Sequence, residues 1–503
     1  MSEDTGATRV CSDCIGEPFL RGQVAKEGLV AECDYCGGED AATIALIELA
    51  DAVEGAFERH FEQTAYEPDF FESALQRDKE LDYEWWREGE PVLLAIAAAA
   101  DISEALAQDV LDILTERHAP FDPADLGGEP PFDPDSQYEE TGPDDAAYLI
   151  AWDRMEQSLR QRTRFFNREA DALLSRLFAD LDALVGRGGR PVVVTAGPGC
   201  ELDGFHRARA FHSGRDEEIV KALERPDREL GPPPARLARA GRMNAAGIAV
   251  FYGADDPAAA LAEIRPPVGS RVVVGRFELV RPVRLLDIEA LRSVFVDGSV
   301  FDPEYLRQLE LAQFLGRLSE RMTMPVMPDD EPTEYLITQV IADFVARRDD
   351  PGIDGMLYRS VQSEDEHRNV VLFHHAARVA APDIPPGTEI EARTTEYDED
   401  GPSVNYWVSE RVPAPDGGED DPVGELTWPF GLDRPAAWPG QRPDHDDDPR
   451  DPALRLDAAS LKVHHVKGVT IAADEHAVWR HRHERARRPG AGPGPGGLPD
   501  LGL

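Results

Sequence analysis

Apolar residues recur at helical spacing from about residue 41 to residue 185. The three stripes consist of Ile44, Ile47, Val53 and Phe57, then of Leu106, Val110, Ile113 and Leu114, and then of Leu173, Leu174, Leu177, Phe178, Leu181, Leu184 and Val185. Steps of three and four residues place side chains on one face of an α-helix. Asp101, with Glu104 three residues later, predicts the cap of the second helix. The pattern predicts a helical bundle that ends near Gly186.

The chain after residue 189 has a different pattern, with short β-branched runs separated by glycine and proline. The runs lie at 192–195, 248–252, 272–274, 356–358 and 370–373. Such runs are typical of strands, and the helical pattern over 333–346 lies among them. We therefore predict an α+β domain that begins at residue 189.

Four of the five cysteines form two C-x-x-C pairs near the N-terminus. They are Cys11, Cys14, Cys33 and Cys36, with eighteen residues between the pairs. Each pair forms a tight turn that can present two thiolates to one metal, and four thiolates close a tetrahedral site. We expect a structural zinc within a zinc ribbon over residues 1–40. A redox dithiol and a chance pairing remain open as alternatives.

The charge balance is strongly acidic. With 52 Lys and Arg against 97 Asp and Glu, the formal net charge is −45. Such a field repels phosphate backbones and anionic lipid, so nucleic acid is an unfavourable partner. The longest apolar run, at 92–100, is too short to span a bilayer, and the first residues resemble no signal peptide. We expect a cytoplasmic protein without a membrane partner.

One stretch opposes this charge. Residues 205–244 carry eight arginines and one lysine against six acids, a local charge of +3. A solvated basic face is one interpretation. The other is an anion pocket, in which guanidinium groups hold a phosphate through paired hydrogen bonds.

A short helix is predicted directly after the 248–252 strand. Asp256 is a favourable N-cap, Pro257 suits the first helical position, and Glu263 is the single acid of an alanine-rich segment. The helix dipole disfavours a carboxylate at the C-terminal end. A surface ion pair with Arg265 is the simplest explanation for Glu263, and a catalytic role is the alternative.

Six segments together resemble the ordered motifs of RES domains. They are FHRAR at 205–209, GRMNAAG at 241–247, FYGA at 251–254, ALAE at 260–263, DGMLYRS at 354–360 and NVVLF at 369–373. Each motif is weak alone, but the set is specific, and the resemblance covers roughly residues 200–385. The helical region before it is similar to the HEPN-like domains that precede RES domains in larger proteins.

The resemblance implies an ADP-ribosyltransferase-like fold that binds and cleaves NAD, as RES toxins of toxin–antitoxin pairs do. It implies catalytic roles for Arg207, Glu263 and Ser360, and NAD-binding roles for Arg207, Arg242, Tyr252 and Ser360. An antitoxin or regulatory protein is the expected partner. An oxocarbenium-like ribose forms when the nicotinamide bond breaks, and a carboxylate stabilises such a cation.

The predicted organisation is therefore multidomain. It consists of a zinc ribbon at 1–40, an all-α HEPN-like domain at 41–188, a RES domain at 189–412, a mobile acidic segment at 413–452, a C-terminal extension at 453–488 and a disordered tail at 489–503. The predicted function is cleavage of the nicotinamide–ribose bond by hydrolysis or phosphorolysis. The alternatives are transfer of ADP-ribose to a macromolecule and a non-catalytic module that only senses a nucleotide.

Overall fold

The computed structural model describes most of the chain. The described residues are 8–77, 84–120, 129–212, 216–327, 329–348, 351–360, 362, 367–398, 401–413, 448–470 and 474–481. Most of the acidic segment predicted to be mobile, residues 414–447, and all of the predicted tail at 489–503 lie outside this set. Within it, no helix combines the length and the apolar character needed to cross a membrane.

Helices and strands follow one another along the chain in mixed order. The helices are α1 (Pro18–Glu27), α2 (Leu46–His60), α3 (Phe70–Arg77), α4 (Val92–Ala100), α5 (Glu104–His118), α6 (Ala146–Gln161), α7 (Arg168–Leu177), α8 (Asp216–Glu224), α9 (Pro226–Glu229), α10 (Pro257–Glu263), α11 (Ile288–Leu291), α12 (Pro303–Thr323) and α13 (Glu331–Ala346). The strands are β1 (Arg9–Cys11), β2 (Leu29–Val30), β3 (Ala42–Ala45), β4 (Phe61–Gln63), β5 (Glu90–Pro91), β6 (Gln137–Glu140), β7 (Val193–Ala196), β8 (Gly204–Phe211), β9 (Phe251–Ala254), β10 (Arg271–Leu279), β11 (Val283–Asp287), β12 (Gly355–Arg359), β13 (Arg368–Leu372), β14 (Glu389–Asp398), β15 (Gly401–Arg411) and β16 (Leu454–His465).

A large mixed sheet is the centre of the second half of the chain. Among the described residues its strand order is β16–β10–β8–β9–β13–β12–β11–β7. Neighbouring strands are antiparallel, except that β11 and β12 are parallel. A parallel pair requires a crossover connection. Here α11, α12 and α13 form it, and they cover one face of the sheet, which we call the helix-side face.

Two apolar cores cover the two faces of this sheet. Met356 and Leu286 point into the core on the helix-side face, whereas their neighbours Leu357 and Leu285 point into the core on the opposite face. This alternation follows from the two-residue period of a strand. Helices α6 and α7 also contribute to the helix-side core through residues such as Trp152.

A separate N-terminal core is built from α1, α2, α4 and α5. Helix α2 buries residues three or four positions apart, including Leu49, Val53 and Phe57, and so forms an amphipathic stripe. Phe301, which directly precedes α12, is 5% exposed and belongs to this same core. The second half of the chain is thereby anchored in the N-terminal core.

The helical region differs in detail from its sequence pattern. The helices predicted as one bundle divide between two cores, and short strands lie among them, in sheets ordered β1–β3–β2 and β4–β6–β5. The predicted Asp101 cap is wrong. Asp101 adopts a left-handed backbone at the end of α4, and Ser103 caps α5 by accepting a hydrogen bond from Leu106. Helix α7 ends at Leu177, earlier than the apolar stripe implied.

The main fold prediction is confirmed at a coarse level, since helices and a large mixed sheet are present. The predicted runs overlap β7, β9, β10, β12 and β13. The ADP-ribosyltransferase-like and HEPN-like assignments and the domain boundaries stay predictions. Strand β16, from the predicted C-terminal extension, pairs with β10 at the edge of the large sheet.

Candidate functional site

The four N-terminal cysteines lie together, as their spacing predicted. Their sulfur atoms are all within 4.8 Å of one another. The Cys11 and Cys36 sulfurs are 3.5 Å apart, and the Cys14 and Cys33 sulfurs are 3.8 Å apart. Zinc–sulfur bonds of about 2.3 Å in a tetrahedron give sulfur separations of about 3.8 Å. The cluster therefore has the dimensions to hold a metal such as zinc.

The second C-x-x-C turn is built for thiolate ligands. Gly37 has a left-handed φ of +69°, and a Cβ on Gly38 would lie 3.3 Å from the Cys36 sulfur. Burial raises the pKa of Cys33, but the backbone N–H groups of Tyr35, Cys36 and Cys11 outweigh this and lower that pKa to about 7. Backbone donors thus favour the charged sulfur at Cys33, whereas burial raises the pKa values of Cys11 and Cys14.

Arg207 lies on β8, where this strand diverges from β9. The pairing between these two strands comprises His206 with Ala254. The guanidinium carbon of Arg207 is 5.2 Å from the centre of the Phe251 ring. Its Nη1 atom is enclosed and has no hydrogen-bond partner in the described residues. Burial lowers the pKa of Arg207 to about 10, so the protein holds a poorly solvated positive charge here.

The turn that carries Arg242 is fixed by Tyr252. The Tyr252 hydroxyl accepts from Met243 N at 3.0 Å and donates to Asn244 Oδ1 at 2.9 Å. A Cβ on Gly241 would lie 2.8 Å from that hydroxyl, so the close approach requires glycine here. The resemblance implied only that Tyr252 binds NAD. The structure shows in addition that its hydroxyl fixes the turn at Met243 and Asn244.

Arg242 connects the turn to the end of α12. Its two terminal nitrogens donate to the backbone oxygens of Met322 at 2.7 Å and Met324 at 2.8 Å. Its guanidinium carbon lies 5.5 Å from the centre of the Tyr335 ring on α13. Arg242 also lines a cavity of about 420 Å³ between α6, the end of α12 and α13, together with Trp152.

Glu263 is the last residue of α10, and its contact differs from the expected one. Asp256 caps this helix as predicted, by accepting from the N–H groups of Ala258 and Ala259. No ion pair joins Glu263 to Arg265 within the described residues. Instead, Asn369 Nδ2 donates to Glu263 Oε2 at 3.1 Å. Glu263 is exposed, whereas Asn369 is 2% exposed. The carboxylate is therefore accessible to solvent and is held by a buried amide of the sheet.

Ser360 continues the line of β12 on the helix-side face. It is 1% exposed, its N–H donates to His367 O at 2.9 Å, and its Oγ accepts from Gln362 N at 3.4 Å. Tyr358, two residues earlier, has its side chain on the same face and pairs in register with Asn369. Tyr358 also lines a second cavity, of about 640 Å³, with Asp255, Arg359 and Arg368.

Electrostatic interactions connect most of these groups. Burial raises the pKa of Tyr252 above its usual range, and the charges of Arg207 and Arg242 both oppose that rise. Burial also raises the pKa of Tyr358 well above its usual value, with a further contribution from the charge of Glu263. The charges of Arg207 and Arg242 thus act on the half-buried Tyr252, and the charge of Glu263 acts on the buried Tyr358. The Phe251 ring that contacts Arg207 belongs to the core on the face opposite to the helix-side face.

Two arginines of the basic stretch at 205–244 are paired with its own acids. Arg209 donates to Glu229 at 2.5 Å, and Arg225 pairs with Asp227 at 2.8 Å. These two arginines are therefore paired with acids of the same stretch. Arg207 and Arg242 form no ion pair with an acid among the described residues, and they are the two that the resemblance assigns to NAD binding.

Two residues that contact predicted site residues were not singled out by the sequence reasoning. Asn369 begins the NVVLF motif at 369–373, but its contact with Glu263 spans 106 residues. Asn244 donates to the backbone oxygens of Arg239 and Ile248, both at 2.9 Å, and shapes the Arg242 turn. For Asn369, the available sequence signal was a polar side chain directly before four apolar residues.

Comparison with known proteins supports the RES resemblance. The family model of the RES domain matches residues 218–397. The match includes Arg242, Tyr252, Glu263 and Ser360, and it begins after Arg207. No curated protein and no solved structure matches the chain.

Proposed function

We propose that this protein binds NAD and cleaves its nicotinamide–ribose bond. The observation that carries the proposal is that the charges of Arg207 and Arg242 act on Tyr252, and those of Arg242 and the exposed Glu263 act on Tyr358. The family-model match covers Arg242, Tyr252, Glu263 and Tyr358. NAD combines a pyrophosphate, which requires positive charge, with a ribose that becomes cationic when nicotinamide leaves. In the proposal, Arg207 and Arg242 meet the first requirement and Glu263 meets the second.

The arginines supply the phosphate-binding part of the proposal. Arg207 has an enclosed Nη1 without a partner, and a bound anion satisfies such a donor through a charge-assisted hydrogen bond. A guanidinium carries five N–H donors, and Arg242 uses two of them on the Met322 and Met324 carbonyls. In the proposal its remaining donors bind the ligand phosphate, while the carbonyl groups at the end of α12 hold the guanidinium in place.

Glu263 supplies the stabilisation of the transition state. When the bond between the ribose anomeric carbon and the nicotinamide nitrogen breaks, its electron pair leaves with neutral nicotinamide and the ribose becomes oxocarbenium-like. A nearby carboxylate stabilises that charge and accepts from a ribose hydroxyl. Water then adds to the anomeric carbon and releases one proton, giving ADP-ribose. The proposal assigns further contacts with the ligand to Ser360 and to the ring of Tyr252.

Incubation of the purified protein with NAD tests the proposal. The expected result is nicotinamide release that matches the loss of NAD. ADP-ribose as second product indicates hydrolysis, a phosphorylated ADP-ribose formed in phosphate buffer indicates phosphorolysis, and label from the adenine end on a macromolecule indicates transfer. Binding of NAD without release of nicotinamide would replace the enzyme with a nucleotide-binding module.

The remaining assignments of the proposal concern the N-terminal half and the partner. The four-cysteine cluster would hold a structural zinc, since four sulfur ligands leave no open position for chemistry. The HEPN-like assignment of residues 41–188 stays a prediction, and the helices of this range divide between two cores. An antitoxin or regulatory protein would restrain NAD cleavage, and relief of expression toxicity by Arg207→Ala tests the toxin role.

A further inference from the structure

We propose that Asn369 positions Glu263 and completes a diol-binding pair with it, which would hold the ribose of the ligand. The inference rests on the proposed function and assigns a role to a residue outside the expected set. Its basis is one hydrogen bond, one buried atom without a partner and the register of three strands.

The first observation is the contact between the two side chains. Asn369 Nδ2 donates to Glu263 Oε2 at 3.1 Å. An ionised carboxylate only accepts hydrogen bonds, so the amide nitrogen must face Glu263 and the amide oxygen must face away. The contact fixes the orientation of both groups.

The second observation is the amide oxygen itself. Asn369 is 2% exposed, and its Oδ1 has no hydrogen-bond donor within the described part of the chain. Most buried polar atoms in proteins are hydrogen-bonded, and one without a partner is costly. A ligand hydroxyl or amide N–H would satisfy this oxygen.

The third observation is the position of Asn369 in the sheet. It lies on β13, opposite Tyr358 of β12 and Ala254 of β9. Directly opposed residues point to the same face, so the small side chain of Ala254 leaves room on one side of the amide. The neighbouring strand β9 carries Tyr252, on which the charges of both arginines act. Tyr252 is two residues before Ala254 on β9, so Asn369 and Tyr252 lie on the same face of the sheet.

Together these features identify the chemistry of the ligand. Asn369 Oδ1, which has no donor among the described residues, and the Glu263 carboxylate are two hydrogen-bond acceptors. The Nδ2 atom of the same amide connects them through its hydrogen bond to Glu263. Two adjacent acceptors match two adjacent donors, as the vicinal hydroxyls of a ribose present. In this arrangement Asn369 acts as a positioning residue for the carboxylate and as a ligand for one hydroxyl.

The test compares three variants by the pH dependence of kcat/KM for nicotinamide release. Asn369→Leu removes both functions of the amide, and we expect a loss of at least about tenfold at every pH. In Asn369→Asp the introduced carboxyl, when protonated, can still donate to Glu263. Once both carboxyls are ionised they repel each other, so activity should fall by about tenfold or more as the pH rises. Wild type should lack this alkaline loss.

Asn405→Asp is the matched control. Asn405 Nδ2 also donates to a glutamate, Glu396 Oε2, at 2.7 Å, on the β14–β15 hairpin. We expect the wild-type pH profile for this variant. Circular dichroism checks the fold of each protein. The inference is overturned if Asn369→Asp follows the Asn405→Asp profile, or if Asn369→Leu stays within twofold of wild type. Absence of nicotinamide release by wild type would instead overturn the proposed function, and this inference with it.

Discussion

Replacing Arg207 by methionine should stabilise the fold and impair NAD cleavage. The Arg207 guanidinium sits where β8 diverges from β9, and its Nη1 has no partner in the described residues. Methionine keeps an unbranched apolar stem at this position and removes the charge. A residue that costs stability without a structural partner is expected at a functional site.

The expected change in the free energy of unfolding follows from the lowered pKa of Arg207 and from its contact with Phe251. Burial lowers the pKa of Arg207 from 12.5 to about 10, which corresponds to roughly 3 kcal/mol against the charged form. The contact of its guanidinium with the Phe251 ring, at 5.2 Å, returns about 1 kcal/mol. Arg207→Met should therefore raise the free energy of unfolding by about 2 kcal/mol. Because the folded-state pKa is the lower one, the penalty is present in full below about pH 10 and is lost as the pH rises through 12.5.

Urea unfolding at pH 7.5, followed by circular dichroism, measures this effect. Arg209→Met is the matched control on the same strand, since Arg209 is exposed and paired with Glu229. We expect a higher urea midpoint for Arg207→Met and an unchanged or lower midpoint for Arg209→Met. Equal destabilisation of the two variants would refute the assignment of Arg207 as an uncompensated charge.

Two further predictions concern the N-terminal half. A strong chelator should remove about one metal ion per chain and lower the melting temperature. Cys33→Ser should likewise reduce metal binding and lower the melting temperature. Cys200→Ser, at an exposed cysteine, should change neither. Bound metal that survives in Cys33→Ser at full occupancy would contradict the four-sulfur site. Phe301→Ala should destabilise the protein by about 3–5 kcal/mol, because it empties part of the N-terminal core, whereas Phe295→Ala, at a residue 53% exposed, should cost less than about 1 kcal/mol. Equal melting temperatures for these two variants would argue against the anchoring role of Phe301.

Local features of the fold were predictable from the sequence. The cysteine cluster depends on two tight turns with glycine after the second, and its gathering is confirmed. The Asp256–Pro257 start of α10 is likewise confirmed, since the cap uses backbone N–H groups two and three residues away. In both cases the residues that make the contact lie close together in the sequence. The cap joins neighbouring residues, and the four cysteines can share one metal.

Contacts between distant segments were not predictable in this way. Arg242 binds carbonyl groups 80 and 82 residues away, and those positions depend on where the crossover helices pack. The expected Arg265 partner of Glu263 was close in sequence, but the actual partner, Asn369, comes from a strand that tertiary packing brings under α10. The helical periodicity identified the buried faces of α5 and α7 and part of that of α2, but Ile44 lies on strand β3 and not in a helix. Periodicity also carries no information on which core each face joins.

The most direct test of the central claim is nicotinamide release by wild type and by Glu263→Gln. Glutamine keeps the size of the side chain and removes the charge that would stabilise the ribose cation. We expect release by wild type and a rate at least about 100-fold lower for Glu263→Gln. Glu27→Gln, at the exposed C-terminal end of α1, should match wild type. A Glu263→Gln rate within twofold of wild type, or no release by wild type, would contradict the proposed NAD cleavage at this site.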